Sequence, residues 1–152
     1  MLPLVLACSA FFSGAETALF SLSARQRLDM GRGHSAVSRL LAKPRMLLIT
    51  LLLGNMLANV FYFVLASVLT WNQPWGTAGM IIMPLATLLI LVALGEVAPK
   101  MIASAHAPAI ARLIAPPLLA VHRTILPLRL AIDRAVVQPL SRLATPSSGA
   151  TT

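Results

Sequence analysis

Acidic side chains are scarce in this sequence: Glu16, Asp29, Glu96 and Asp133 stand against 12 Lys and Arg in 152 residues. Charged residues of both signs make up 11% of the chain, where soluble domains carry about a quarter, so an ordinary soluble domain is excluded. Cys8 is the single cysteine, which excludes an intrachain disulfide and a thiolate metal site. A run such as Leu4-Val5-Leu6-Ala7-Cys8 loosely resembles a lipoprotein cleavage site, but no basic segment precedes it, and Cys8 reads as a small core residue. His34, His106 and His122 lie outside the apolar stretches and show no zinc-protease spacing, and Gly31-Arg32-Gly33 lacks the spacing of a phosphate-binding loop. No nucleophile stands beside a base in any recognisable pattern, so no catalytic residues, no bound cofactor and no enzyme activity are expected.

The formal net charge of +8 raises the question of nucleic acid. Eight aromatic residues offer little for base stacking, and the cations are confined to the polar segments between and after apolar spans. They are expected to orient the chain and meet anionic lipid headgroups, with no nucleic-acid partner.

What the chain has in quantity is apolar length, 58% of its residues. Three spans are expected, at about residues 2–22, 46–69 and 79–103, the last interrupted at Pro84 and again from Gly95 to Pro99. The second, at about 1.5 Å per residue, is long enough to cross a bilayer with some tilt. Trp71 and Trp75 suit an interfacial belt in the uncharged turn between the second and third spans. A short amphipathic piece covers Ala36 to Ala42. From about 107 to 144 arginines are dispersed among apolar residues and prolines, which predicts a kinked amphipathic arm at the membrane surface rather than one straight helix. The tail over 145–152 is expected to be disordered. Six Lys and Arg separate the first two spans, none separates the second from the third, and five arginines lie in the arm. By the positive-inside rule the N-terminus is outside and the C-terminus cytoplasmic.

Two of the four acidic residues fall inside spans, which costs a few kcal/mol each unless they face a partner, a cavity or an ion path. Ser13, Glu16, Thr17 and Phe20 share one helical face, a hydroxyl, a carboxylate and a second hydroxyl within two turns. These are hard oxygen donors, suited to Mg²⁺, Ca²⁺ or Na⁺. Bonding of Ser13 and Thr17 back to helix carbonyls is the structural alternative. Asn55 and Asn59, four apart, point the same way; Asn55 beside Gly54 reads as a ligand and Asn59 as interhelical glue. Pro99 has no N–H for the carbonyl of Gly95, which would be freed beside Glu96. A Glu96–Lys100 ion pair at i, i+4 is the alternative there.

The run Phe12-Ser13-Gly14-Ala15-Glu16-Thr17-Ala18-Leu19-Phe20-Ser21-Leu22-Ser23, then Gly54-Asn55 with Asn59, then Gly95-Glu96-Val97-Ala98-Pro99-Lys100 resembles the transmembrane domain of the CorC/CNNM (cyclin M) magnesium transporters. The likeness spans about Leu4 to Leu140. It implies an all-α membrane domain over residues 1–144, with three transmembrane helices, a short helical hairpin before the second, juxtamembrane helices at the C-terminal end, and a homodimer. It also implies Mg²⁺ efflux from the cytoplasm of a bacterium across its plasma (inner) membrane, with Na⁺ as coupling ion. The metal ligands carried over are Ser13, Asn55 and Glu96, with Glu16 and the Gly95 carbonyl nearby. The paired CBS module that usually follows in the family is absent from these 152 residues. A scaffold or Mg²⁺ sensor subunit that does not transport is the competing expectation.

Overall fold

The computed structural model describes residues 1–31, 35–71 and 76–124. The turn around Arg32, Trp75, the arm beyond Thr124, the expected boundary at 144 and the tail from 145 lie outside the described residues. Those that are described form helices joined by short turns: α1 (Leu2–Phe20), α2 (Ala24–Gly31), α3 (Ala36–Leu41), α4 (Pro44–Trp71), α5 (Gly76–Ile90), a π-helical segment (Leu91–Val97), α6 (Ala98–Ala105) and α7 (Ala107–Thr124). Among the described residues three stretches are long and apolar enough to cross a membrane: Leu2–Phe20, Pro44–Trp71 and Ala78–Ala105.

Local chemistry explains where α1 stops and the hairpin begins. The end of α1 is closed by Arg27, whose Nη2 donates to the carbonyl of Phe20, the last helical residue, at 3.2 Å and whose Nε donates to that of Leu22, just beyond it, at 3.0 Å. Ser23 and Gln26 then form a reciprocal capping box, each backbone N–H bonding the other's side chain. Ser35 caps α3 by accepting the Ser38 N–H and itself donates to the Met30 carbonyl at 2.6 Å, tying α3 to the end of α2. The expected hairpin is therefore α2 and α3.

Small residues make α1 the centre of the packing. Ser9, Ser13, Gly14, Ala15 and Ala18 are buried along it, and α4, the π-helical segment, α6 and α7 all pack against it. Without a hydrophobic drive between helices in lipid, such close approach is what van der Waals packing requires. The apolar core gathers toward the hairpin end: Leu19 and Leu22 of the α1 end meet Leu40, Leu47, Leu51, Ala103 and Leu118. By contrast the third span is largely open to its surroundings, with Met80, Ile81, Leu85 and Leu89 exposed.

Two expectations are corrected. Pro84 does not interrupt the third span; it lies inside a continuous α5, where a membrane helix can re-satisfy the one carbonyl it leaves. The start of the arm is helical, α7, with Pro116 and Pro117 inside it, and its buried stripe of Ala107, Ala111, Ala115 and Leu118 packs on α1 and α3 as an amphipathic helix does. Cys8 is exposed and so not a core residue; with Val5, Phe12, Leu57 and Phe61 it lines a shallow apolar groove between α1 and α4.

Candidate functional site

The third span departs from α geometry where its sequence changes. A proline ring clashes with the carbonyl four residues before it, which for Pro99 is that of Gly95. The helix widens into the π form over Leu91–Val97, and the Ala98 N–H reaches back five residues to the Ala93 carbonyl. In a regular helix the Ala98 and Pro99 nitrogens would serve the carbonyls of Leu94 and Gly95. The first is engaged with Ala93 and the second carries no hydrogen, so both carbonyls lose their usual helical donors.

Against this break α1 lays its polar face. Gly95 is buried, and a Cβ on it would lie 3.1 Å from Ser9 Oγ and 3.3 Å from Leu6 Cδ1, so glycine is what permits the approach. Ser13, fully buried, donates across to the Glu96 carbonyl at 3.2 Å rather than back along its own helix. Thr17 does bond back, to the Ser13 carbonyl at 3.3 Å. One turn further, a Cβ on Gly14 would meet Pro99 at an ordinary 3.6 Å. The contacts Ser9–Gly95, Ser13–Glu96 and Gly14–Pro99 advance together, so α1 and the third span run in the same direction here.

From the other side α4 contributes two amides. Asn59 Nδ2 donates to Glu96 Oε1 at 2.8 Å, and Ser9 Oγ donates to Asn59 Oδ1 at 2.7 Å. Ser9, Asn59 and Glu96 thus form one relay across three helices. Asn55 Oδ1 stands 3.4 Å from Ser9 Oγ, at the outer limit of a hydrogen bond. Gly54 makes room for this crossing: a Cβ there would run into the ring of Phe12.

The structure therefore brings Ser13, Asn55, Gly95 and Glu96 into one polar cluster within the membrane-spanning helices. Glu16 lies beside it rather than in the relay. Its carboxylate pairs with Lys100, Nζ to Oε2 at 3.8 Å, their side chains 28% and 44% exposed. The Glu96–Lys100 pair, the alternative to a ligand role for Glu96, is not formed: Glu96 takes the Asn59 amide, and the Lys100 ammonium reaches across to α1. Each carboxylate has a nearer partner on another helix, Asn59 for Glu96 and Lys100 for Glu16.

One residue was missed by sequence reasoning. Ser9 is the buried hub of the relay, and its position four before Ser13 on the same face was the available signal. Asn59 joins α1 to the third span as glue does, yet it is also the amide nearest the carboxylate; helical periodicity could not separate it from Asn55. Among the described residues no three His, Cys, Asp or Glu side chains gather. A cation held here would therefore draw on hydroxyl, amide and carbonyl oxygens as well as on carboxylate, the donor set of a hard ion.

Comparison with known proteins gives a consistent picture. The family model described as the cyclin M transmembrane N-terminal domain matches residues 1–145. A UPF0053 protein of Haemophilus influenzae is 33% identical over 112 residues, covering 70% of this chain and 26% of the relative. The UPF0053 inner membrane protein YfjD of Escherichia coli K12 is 31% identical over 102 residues, covering 64% of this chain and 24% of its own length. The chain spans about a quarter of the curated relatives it matches.

Proposed function

The chain belongs to the cyclin M transmembrane-domain family, and from that premise we propose that it moves a divalent cation across the membrane, with Mg²⁺ as substrate. The observation that carries this reading is the convergence of buried Ser9 and Ser13, the Asn59 amide and the Glu96 carboxylate on a π-helical break within three spans. Irregular backbone inside a membrane survives where protein or a polar cavity satisfies it, and transporters use such breaks to present carbonyls to an ion.

Chemically, each member has a task. Glu96 supplies negative charge at a depth where water is scarce. Ser13, Asn55 and Asn59 supply neutral oxygens that replace hydration without accumulating like charge, and the carbonyls of Leu94 and Gly95, whose α-helical donors are diverted or missing, supply more. For Asn59 to turn its oxygen on the ion it must release the Ser9 hydroxyl and the Glu96 carboxylate, so loading the site opens the relay. In this reading transport is Mg²⁺ efflux driven by Na⁺ influx, through a homodimer in a bacterial inner membrane, with the N-terminus outside and the C-terminus cytoplasmic. The inner-membrane assignment is supported by the Escherichia coli relative's description, and the orientation by the distribution of basic residues.

The relay also bonds to itself with good geometry, which favours a second reading: a scaffold or sensor subunit whose polar residues only join helices. Proteoliposomes separate the two. A transporter carries Mg²⁺ down an imposed gradient and responds to a Na⁺ gradient of opposite sense. Absence of flux in vesicles holding folded protein would leave the scaffold or sensor.

A further inference from the structure

The Glu16–Lys100 pair stands outside the relay, and nothing in the relay needs it. Its place along the helices gives it a role. On α1, Glu16 follows Ser13 by three residues, about 4.5 Å along the axis; on the third span Lys100 follows Glu96 by four, about 6 Å. Because the two helices run in the same direction at this point, the pair lies one step from the cluster toward the basic hairpin. Phe20 and Ala105 end their helices only four and five residues beyond. An ion approaching the cluster from the hairpin side passes Glu16 and Lys100 first.

We propose that Glu16 is a second cation position, at the hairpin-side mouth of the cluster, and that the Lys100 ammonium is its tethered occupant, which an incoming ion must displace. This rests on the cation-transport reading and adds to it the residue that sets affinity. Four observations support it. The contact is a single one at 3.8 Å, with neither group sealed from its surroundings, so it is readily broken. Charged groups within a span face a partner, a cavity or an ion path; here each is the other's partner, and both keep an open side on which an ion can be received. Glu96 is satisfied by a neutral amide, whereas Glu16 is satisfied by a cation, so Lys100 holds the local charge at one negative rather than two. Finally, the backbone beneath is fixed: Pro99 packs on Gly14, so Lys100 leaves Glu16 by swinging its flexible stem, with no movement of the helix.

A tethered competitor weakens ion binding by the free energy of its own pairing. Removing it must therefore tighten binding, the opposite of what losing a structural ion pair would do. The test uses the full chain in detergent and Mg²⁺ alone as probe, reading the half-maximal Mg²⁺ concentration for thermal stabilisation. Lys100→Met is expected to lower that concentration by about two- to fivefold, the range for a partly exposed pair. Glu16→Gln raises it, because an unneutralised ammonium is left at the mouth. The double variant falls between the two single variants. Lys100→Gln repeats the first result with a polar side chain, so poor folding of Lys100→Met does not decide the matter. Unchanged or weaker Mg²⁺ response in both Lys100 variants, with a normal response in the unsubstituted protein, overturns the competitor and leaves the cation site standing. No Mg²⁺ response in the unsubstituted protein brings down the site itself, and the competitor with it.

Discussion

The amide of Asn59 on α4 donates to the carboxylate of Glu96 at 2.8 Å, joining residues 37 apart in sequence at the point where the third span leaves α geometry. Around this bond the neighbouring contacts can be separated by experiment.

Removing the charge should abolish ion binding without unfolding the protein. Glu96→Gln keeps the shape and one oxygen able to accept from Asn59. It is expected to lose Mg²⁺-dependent thermal stabilisation while keeping its elution volume and helical signal, since a ligand bound to the folded state raises stability by mass action. Retained stabilisation would move the ion elsewhere.

Asn59→Ala acts differently. It leaves the carboxylate without its donor in a low-dielectric setting, a loss of about 1–3 kcal/mol. The melting temperature should fall even when no Mg²⁺ is present, whereas Glu96→Gln should change it little under that condition. Equal melting of the two variants without Mg²⁺ would show that the bond carries no stability.

Ser13→Ala removes the hydroxyl that reaches the Glu96 carbonyl and leaves a side chain of nearly the same volume in a fully buried place. The expected outcome is a folded protein with weakened or lost Mg²⁺ stabilisation. Asn55→Ala should behave likewise if its amide turns onto the ion. Unchanged Mg²⁺ affinity in both variants would exclude these positions as ligands.

The glycines of α1 and α4 should respond in opposite ways. A methyl group at Gly54 collides with the Phe12 ring, so Gly54→Ala forces the α1–α4 crossing apart and should cost about 1–3 kcal/mol. At Gly14 the nearest atoms, on Pro99, leave ordinary contact distance, and alanine gains up to about 1 kcal/mol of helix propensity. Gly14→Ala is therefore expected to melt at or above the parent temperature. A Gly14→Ala variant less stable than Gly54→Ala would contradict both packing arguments.

Orientation is tested by labelling. In a Cys8→Ser background, cysteine at Asn72 should react with an impermeant thiol reagent from outside, and cysteine at Ser35 only after the cytoplasmic face is opened. Reaction of both from the same side would refute the three-span arrangement.

The sequence determined by itself whatever depends on neighbouring residues and on burial in lipid. Apolar runs of bilayer length gave the three spans. Ser23 with Gln26 and Ser35 with Ser38 start the short helices by bonds that stay within one turn, although their capping pattern was not read from the sequence. The rarity of acidic residues directed attention to Glu16 and Glu96, because charge in a membrane is costly wherever it occurs. The tertiary structure decided everything that turned on which helix faces which. Pro99 announced a break, but only packing against Ser9 and Ser13 shows it as a widened turn rather than an interruption. Asn55 and Asn59 share one face of α4, and only the way the helices cross brings Asn59 and not Asn55 onto Glu96. Lys100 lies four residues from Glu96, yet pairs with Glu16, 84 positions away in the chain. Partner choice among charged groups is a matter of distance in space, which spacing along one helix does not give when another helix brings its own charge alongside.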